Sequence, residues 1–195
     1  TTITEETEWN PEELHSDYAI SKYGAEMEVF RGHQEGLEVV IVNPGVIFGY
    51  GFPKRGSDVI IQSVRRGTSF YTKGFVGIVF VDDVTKCMMQ LMKSDINGER
   101  FTLVGENIEV KKLLKFIAKE INVKSPSINA TKSMTSIAWR LDWFISKIAN
   151  RKRKITRNTA AALHETLIYD TSKIKSEFEF EFQEKEEYLK TILKH

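Results

Sequence analysis

One tyrosine–lysine pair in this sequence has a spacing suited to proton transfer. Tyr18 and Lys22 are four residues apart, so on a helix their side chains share one face, about one turn apart. A nearby ammonium favours the ionised phenol, and such a tyrosine can exchange a proton with a substrate oxygen near neutral pH. The lysine has three N–H donors, which can also hold hydroxyl groups of a second ligand.

The same spacing occurs twice more, at Tyr50/Lys54 and Tyr169/Lys173. The first of these pairs encloses a glycine and a proline, which exclude a regular helix. The second straddles a predicted strand end and helix start, so the spacing no longer implies a shared face. Tyr18 and Lys22 are therefore the candidate pair, and a surface tyrosine beside a solvated lysine is the structural alternative.

A strand and a turn follow the helix that carries this pair. The helix is predicted over residues 17–34, ended by Gly36, and the nearly continuous β-branched run at 37–43 predicts a parallel strand buried on both faces. Ligands of open α/β sheets bind beyond the carboxyl ends of strands. There Pro44 has no N–H to donate, and Gly45 allows close approach of a flat ring. The alternative is a loop that merely leaves a strand.

The rest of the chain predicts further helices and strands. Asn10 and Pro11 indicate a helix start, residues 44–56 a loop, and Asp82 and Asp83 the caps of a helix. Other predicted helices cover about residues 59–64, 84–93, 110–121, 132–150, 156–165 and a polar C-terminal segment at 183–195. Predicted strands cover residues 78–81, 101–104 and 167–170.

Composition and charge exclude several classes of protein. The 195 residues are 41% hydrophobic, with 28 basic and 27 acidic side chains and a formal charge of +1, so nucleic acid is not an expected partner. The single cysteine, Cys87, excludes an intramolecular disulfide and fits a reducing, cytoplasmic compartment. The four histidines form no metal-binding pattern, so no metal is expected. No apolar run is long enough to span a bilayer.

An apolar stripe with tryptophan beside it marks the helix predicted at 132–150. Ile137, Leu141, Phe144 and Ile148 form the stripe, and the basic run at 151–154 follows it. A basic amphipathic helix with tryptophan can lie on a membrane surface. The favoured interpretation is instead a helix packed over a substrate lobe with a solvated basic end, so a membrane is not an expected partner.

Two segments together carry a family resemblance. Residues 18–26 (YAISKYGAE), followed by residues 42–49 (VNPGVIFG), resemble the extended short-chain dehydrogenase/reductases, the NAD(P)-dependent epimerase/dehydratase and dihydroflavonol-reductase-like proteins. Residues 80–84, 98–101 and 169–173 also match. The resemblance covers essentially the whole chain but only the C-terminal half to two-thirds of the family. It implies an α/β fold, the C-terminal part of a Rossmann-type parallel sheet with a smaller, mainly helical substrate lobe.

The resemblance implies a role for each matched site residue. Tyr18 would be the catalytic acid/base beside the cofactor. Lys22 would bind the nicotinamide ribose and favour the ionised phenol. The backbone at Pro44, Gly45 and Val46 would face the nicotinamide of NADP or NAD. The implied reaction is hydride transfer between nicotinamide and a carbinol or ketone carbon of a small-molecule substrate.

Departures from the family pattern set expectations about completeness. Residues 1–48 and 75–104 would be the remaining part of the nucleotide-binding domain, and residues 49–74 and 105–195 mainly the substrate lobe. The sequence has no G-x-x-G-x-x-G turn of the kind that receives a pyrophosphate at a helix N-terminus. That Gly-rich βαβ half and the family's catalytic serine are expected upstream of Thr1. By itself, this chain is expected to be inactive and to bind NAD or NADP without useful affinity.

The sequence leaves other functions open. Sugar-nucleotide epimerases usually carry an arginine shortly before the strand that leads to the aspartate pair, and residues 73–80 contain none. This favours a small hydrophobic carbonyl substrate over a nucleotide sugar. The alternatives are a sugar-nucleotide epimerase/dehydratase, or a non-catalytic binding or membrane-surface protein derived from a truncated reductase. A homodimer is also left open.

Overall fold

The structure is a computed structural model that describes residues 1–13, 15–50, 56–153 and 155–193. The helices are α1 (Asp17–Gln34), α2 (Asp58–Arg65), α3 (Val81–Leu91), α4 (Val110–Glu120), α5 (Lys132–Ile148), α6 (Arg157–Ala162), α7 (Ser172–Phe178) and α8 (Lys185–Leu193). The strands are β1 (Thr2–Ile3), β2 (Val40–Pro44), β3 (Val46–Phe48), β4 (Phe70–Tyr71), β5 (Phe75–Phe80), β6 (Glu99–Leu103), β7 (Glu106–Glu109), β8 (Ile128–Asn129) and β9 (Ile168–Tyr169).

Most strand pairs are parallel. β2 pairs with β6, β3 with β5, β1 with β9 and β4 with β8, all in parallel, whereas β7 runs antiparallel to β5. Two short connections, Gly45 between β2 and β3 and residues 104–105 between β6 and β7, join the β2–β6 and β3–β5–β7 sheets. The Gly45 N–H donates to the Leu103 carbonyl at 3.0 Å, and the Gly105 N–H donates to the Ile78 carbonyl at 2.9 Å. These bonds continue the hydrogen bonding from one sheet into the next.

The hydrophobic core lies on both faces of β5. Ile78 and Phe80 pack into a cluster with buried residues of α2, α4 and α8. Val79, which points to the opposite face because side chains alternate along a strand, packs with buried residues of α3, β6 and α7. Helices on both faces of a mainly parallel sheet confirm the predicted α/β class.

The helix predicted to start at Asn10 is not formed in the described residues, whereas the longer helix after it has the predicted bounds. Residues 11–13 form a turn and not a helix, in which the Asn10 side-chain oxygen accepts the Glu12 N–H at 3.1 Å and the Asn10 carbonyl accepts the Glu13 N–H at 3.3 Å. An asparagine side chain that satisfies a local N–H competes with helical bonding. The predicted helix start at Asn10 is therefore wrong, whereas α1 has the predicted bounds and ends at Gly36 (φ 100°).

The predicted strand at 37–43 and the loop after it also differ in the structure. Val40, Ile41 and Val42 are only partly buried, because β2 pairs with β6 on one side and no second described strand pairs with it. The prediction of burial on both faces is therefore wrong. The predicted loop from residue 44 contains β3, whose β-branched and aromatic residues pair with β5; residues 51–55 lie outside the described ranges.

The adjacent aspartates at the start of α3 do not cap it, contrary to the sequence prediction. The N-cap residue is Phe80, with no side-chain capping bond. Asp82 instead accepts the Tyr188 hydroxyl proton at 2.8 Å, and Asp83 accepts bonds from Gln183. Both carboxylates therefore hold the C-terminal segment against α3.

Two helices present different faces from those predicted. α8, predicted to be polar, buries Tyr188, Leu189, Ile192 and Leu193, so it is amphipathic. The apolar stripe predicted to pack on protein, formed by Ile137, Leu141, Phe144 and Ile148 on α5, is exposed, with Ile148 72% accessible. The prediction of a packed helix at this place is wrong, because the residues that α5 buries are Asp142 and Ser146.

Candidate functional site

Polar contacts position the helix that carries the tyrosine–lysine pair. The Ser16 side chain accepts the Ala19 N–H at 3.1 Å and begins α1. Further along, Glu26 forms an ion pair with Arg100 of β6 at 3.0 Å and accepts a bond from the Asn43 amide at 3.4 Å. α1 has no buried residue, so these contacts to β2 and β6 fix its place beside the sheet.

A cleft of about 860 Å³ brings most of the sequence-predicted site residues together. Tyr18 reaches it from α1, and Pro44, Gly45 and Val46 line it at the point where β2 passes into β3. The other described lining residues are Ile47, Gly56, Val59, Ile60, Phe75, Val76, Gly77, Ala162, Glu165, Leu167 and Tyr169. The cleft is thus mostly apolar, with Tyr18, Glu165 and Tyr169 as its polar side chains.

Lys22 lies on the same helix as Tyr18 but outside this set of lining residues. Both side chains are exposed, Tyr18 to 74%, and within the described ranges neither has a hydrogen-bond or ion-pair partner. Because the two side chains lie one helical turn apart and their polar groups make no such contact within the protein, both can contact the same ligand. Their catalytic and cofactor-binding roles stay predictions.

Gly45 has a packing role in addition to the predicted approach of a ligand ring. A Cβ built on Gly45 would lie 2.5 Å from the Gly77 carbonyl oxygen, and one on Gly77 would lie 2.9 Å from the Tyr169 ring. Only residues without a Cβ fit at such separations. The β2–β3 connection and β5 therefore touch through their backbones at the floor of the cleft.

Two polar residues that line the cleft, Glu165 and Tyr169, are not among the site residues predicted from the sequence. Asn107 clamps the Tyr169 backbone: its amide donates to the Tyr169 carbonyl at 2.8 Å, and its oxygen accepts the Tyr169 N–H at 2.9 Å. Burial, together with the negative charge of Glu165, raises the pKa of Tyr169. Tyr169 is therefore a neutral phenol that can donate a hydrogen bond at neutral pH.

The Tyr169/Lys173 pair does not form a second proton-transfer site. Lys173 extends to Glu99, with its ammonium 2.6 Å from the carboxylate, and lies over the Phe101 ring at 5.1 Å. Tyr169 instead lines the cleft, so the two side chains contact different parts of the protein. This agrees with the prediction that the pair spans a strand end and a helix start and does not share a helix face. In the Tyr50/Lys54 pair, Lys54 lies outside the described residues.

The described part of the chain shows neither a metal centre nor a membrane span. No three histidine, cysteine or acidic side chains of these residues are grouped so that they could bind a metal ion. Over the same residues, no helix combines the length and the apolar character needed to cross a bilayer.

Known proteins share both the sequence pattern and the fold. Residues 1–96 match the family model described as male sterility protein. A putative dihydroflavonol 4-reductase of Synechocystis is 29% identical over 121 residues, which are 59% of this chain and 35% of that protein. The chain thus spans about a third of this curated relative.

Solved structures match over almost the full chain. The crystal structure of gox2253 superposes with a TM-score of 0.78 and 23% identity, over 100% of this chain and 60% of that one. The dTDP-glucose 4,6-dehydratase of Bacillus anthracis, solved in complex with NAD, gives a TM-score of 0.69 and 15% identity over 100% and 55%. The chain is therefore similar in sequence and fold to the extended short-chain dehydrogenase/reductases, the resemblance that its motifs indicate, and it spans part of their length.

Proposed function

We propose that the complete protein is an NAD(P)-dependent oxidoreductase that acts on a carbinol or ketone carbon of a small apolar substrate. The observation that carries this proposal is the shared cleft, in which Tyr18 meets the backbone of Pro44, Gly45 and Val46. The nicotinamide of NAD or NADP, when bound, supplies or accepts the hydride. The exposed, unpartnered Tyr18 hydroxyl and the Lys22 ammonium one turn away fit the nicotinamide ribose end of such a cofactor.

In this proposal each residue of the chain has a separate task. Tyr18 gives its phenolic proton to the substrate oxygen in reduction and takes it back in oxidation. Lys22 binds ribose hydroxyls through its ammonium. The neutral Tyr169 phenol donates a hydrogen bond that orients a polar group of the substrate. The valine, isoleucine and phenylalanine side chains exclude water from the cleft.

The lining of the cleft supports an apolar substrate over a nucleotide sugar. Apolar side chains cover most of it, and Glu165 adds a negative charge, which repels a diphosphate. The alternative function, a sugar-nucleotide epimerase or dehydratase, is supported by the fold shared with the NAD-bound dehydratase. Both functions use the same tyrosine, so the substrate separates them.

The test is a steady-state assay of the full-length protein. NADH and NADPH oxidation would be followed with ketones and aldehydes of increasing apolar size, and with dTDP- and UDP-sugars. We expect turnover with the apolar carbonyl compounds. Turnover with nucleotide sugars alone would favour the alternative, and no turnover with any compound would favour a non-catalytic binding protein.

Substitutions on α1 test the assignment of the tyrosine. Tyr18→Phe should lower kcat by about 10²–10⁴-fold with cofactor affinity nearly unchanged, whereas Lys22→Ala should also weaken cofactor binding. Tyr23→Phe is the matched control, because Tyr23 lies on the same helix but stacks on Trp9 at 4.5 Å away from the cleft lining. Near-normal kcat in Tyr18→Phe would refute the proposed role.

A further inference from the structure

α5 turns an apolar face away from the protein. Five side chains, spaced i, i+4, i+7, i+8 and i+11 and so aligned on one face, form what we call the α5 stripe. Their exposed fractions are 59% for Ile137, 55% for Leu141, 56% for Phe144, 49% for Ile145 and 72% for Ile148. For a helix of 17 residues, this is the reverse of the usual arrangement, in which the apolar face is buried.

The inward face of α5 is polar, and its contacts fix the orientation of the helix. Asp142 is buried, with a carboxylate oxygen 2.6 Å from the Arg151 guanidinium and the other accepting the Ile155 N–H at 3.1 Å. The Thr135 hydroxyl lies 2.9 Å from the His164 ring nitrogen. Turning the stripe inward would break these contacts, so the exposed stripe is a built feature of the fold.

The stripe lies in the most basic part of the chain. Residues 132–153 carry six basic side chains and one acidic one, a formal charge of +5, whereas the whole chain carries +1. The one acidic residue, Asp142, faces inward. Two cations lie over the tryptophans beside the stripe, Arg140 over Trp139 at 4.6 Å and Lys147 over Trp143 at 5.5 Å. Lys152 and Arg153, just beyond the helix, are exposed.

We propose that α5 binds the surface of an anionic lipid bilayer, with its axis in the membrane plane and the stripe in the acyl boundary. Exposed apolar side chains with tryptophan and basic residues around them match the requirements of such an interfacial helix, and the excess of positive charge matches anionic headgroups. This replaces the expectation that a membrane is not a partner, and it does not depend on the proposed oxidoreductase activity.

Another exposed apolar face lacks this charge pattern. α1 exposes Ile20, Met27 and Val29, but charges of both signs lie among them, including the Arg31–Glu28 ion pair at 2.8 Å. An anionic surface would repel the acidic members of that face. The charge pattern that supports membrane binding is therefore present on α5 and absent from α1.

Vesicle flotation of the full-length protein tests the proposal. We expect binding to phosphatidylcholine vesicles that contain phosphatidylglycerol, and little binding to phosphatidylcholine alone. Lys152→Gln/Arg153→Gln should weaken binding on the order of 25-fold, about fivefold per charge, and Phe144→Ser/Ile148→Ser by about 100-fold. The matched controls are the exposed pairs Lys112→Gln/Lys115→Gln on α4 and Met89→Ser/Met92→Ser at α3, which should bind like the unmodified protein.

A second measurement follows the tryptophan beside the stripe without altering the stripe. Brominated lipid should quench the emission of the bound protein, and Trp143→Phe should remove much of this quenching. Circular dichroism would verify that each variant is folded.

Three results would overturn the proposal. One is no flotation of the unmodified protein with anionic vesicles, and another is equal flotation without the anionic lipid. The third is concentration-dependent self-association that Phe144→Ser/Ile148→Ser abolishes while lipid binding is absent, which would assign the face to a second copy of the chain.

Discussion

The buried carboxylate of Asp83 should contribute strongly to the stability of this fold. Asp83 is 1% exposed and accepts two hydrogen bonds from Gln183, one from its backbone N–H at 3.2 Å and one from its side-chain amide at 3.1 Å. These bonds join the start of α3 to the segment that leads into α8, 100 residues later. The packing of α8 on the core depends on where this segment is held.

The expected effect of Asp83→Ala follows from these two bonds. A hydrogen bond to a charged group contributes about 1.5–3 kcal/mol, and a donor left buried without a partner costs about 1–3 kcal/mol. The two terms overlap, so we expect the free energy of unfolding to fall by about 3–4 kcal/mol, the upper part of the range for single substitutions. Asp83→Asn, which keeps one acceptor oxygen, should lose about half as much.

Urea unfolding of the full-length protein would measure these differences. Asp95→Ala, at an exposed aspartate just after α3, is the matched control and should change the free energy of unfolding by less than about 0.5 kcal/mol. A double-mutant cycle with Gln183→Ala isolates the side-chain bond and should give a coupling energy of about 1–2 kcal/mol.

If Asp83 acted only as the cap of α3, Asp83→Ala would have a smaller effect on stability. Loss of a cap lowers stability by about 1 kcal/mol, and the effect would not depend on Gln183. If Asp83→Ala lowers the free energy of unfolding by only about 1 kcal/mol and its coupling energy with Gln183→Ala is zero, the proposed link between Asp83 and Gln183 is refuted. The capping role that the sequence suggests would then be supported.

Three further substitutions or reactions test the interior. Gly45→Ala should lower the free energy of unfolding by about 1–3 kcal/mol, measured by urea titration, because its Cβ would meet the Gly77 carbonyl at 2.5 Å. Asn107→Ala should lower it by about 2 kcal/mol and speed amide exchange at Tyr169, whose backbone it clamps. Cys87 should react with a thiol reagent only on unfolding, because burial and then the charge of Asp83 raise its pKa from 9.0 to about 11. The stability that comes from keeping the buried Cys87 thiol protonated is complete below pH 9 and is lost as pH rises towards 11. Cys87→Ala should therefore flatten that part of the stability–pH profile.

The elements that the sequence predicted well are those with strong local signals. α4 has apolar residues at helical spacing, of which Leu113, Leu114 and Ile117 are buried as the pattern predicts. α1 is ended by Gly36, whose positive φ is the stop that a glycine indicates. Tyr18 and Pro44 could be placed at one site because a helix and the strand directly after it must pack as neighbours in an α/β fold.

The parts of the site that the sequence did not reveal depend on contacts between distant segments. β1 and β9 are two-residue strands whose partners are 166 residues apart, and strands this short have no periodicity to detect. Tyr169 comes to the cleft through that pairing and through Asn107, which is 62 residues away. Its tyrosine–lysine spacing did mark it, but Lys173 is drawn to Glu99 instead.

The α5 helix shows which part of an amphipathic pattern a sequence can determine. Periodicity establishes that Ile137, Phe144 and Ile148 lie on one face, and the structure agrees. It does not establish what that face contacts, because a buried core and a lipid surface both favour an apolar stripe. The direction is set by Asp142, whose carboxylate finds Arg151 and the Ile155 N–H only beyond the end of the helix. Since an unpaired buried carboxylate is far more costly than an exposed isoleucine, the polar contacts decide which face of α5 turns inward, and they leave the stripe exposed, where we propose that it meets the membrane.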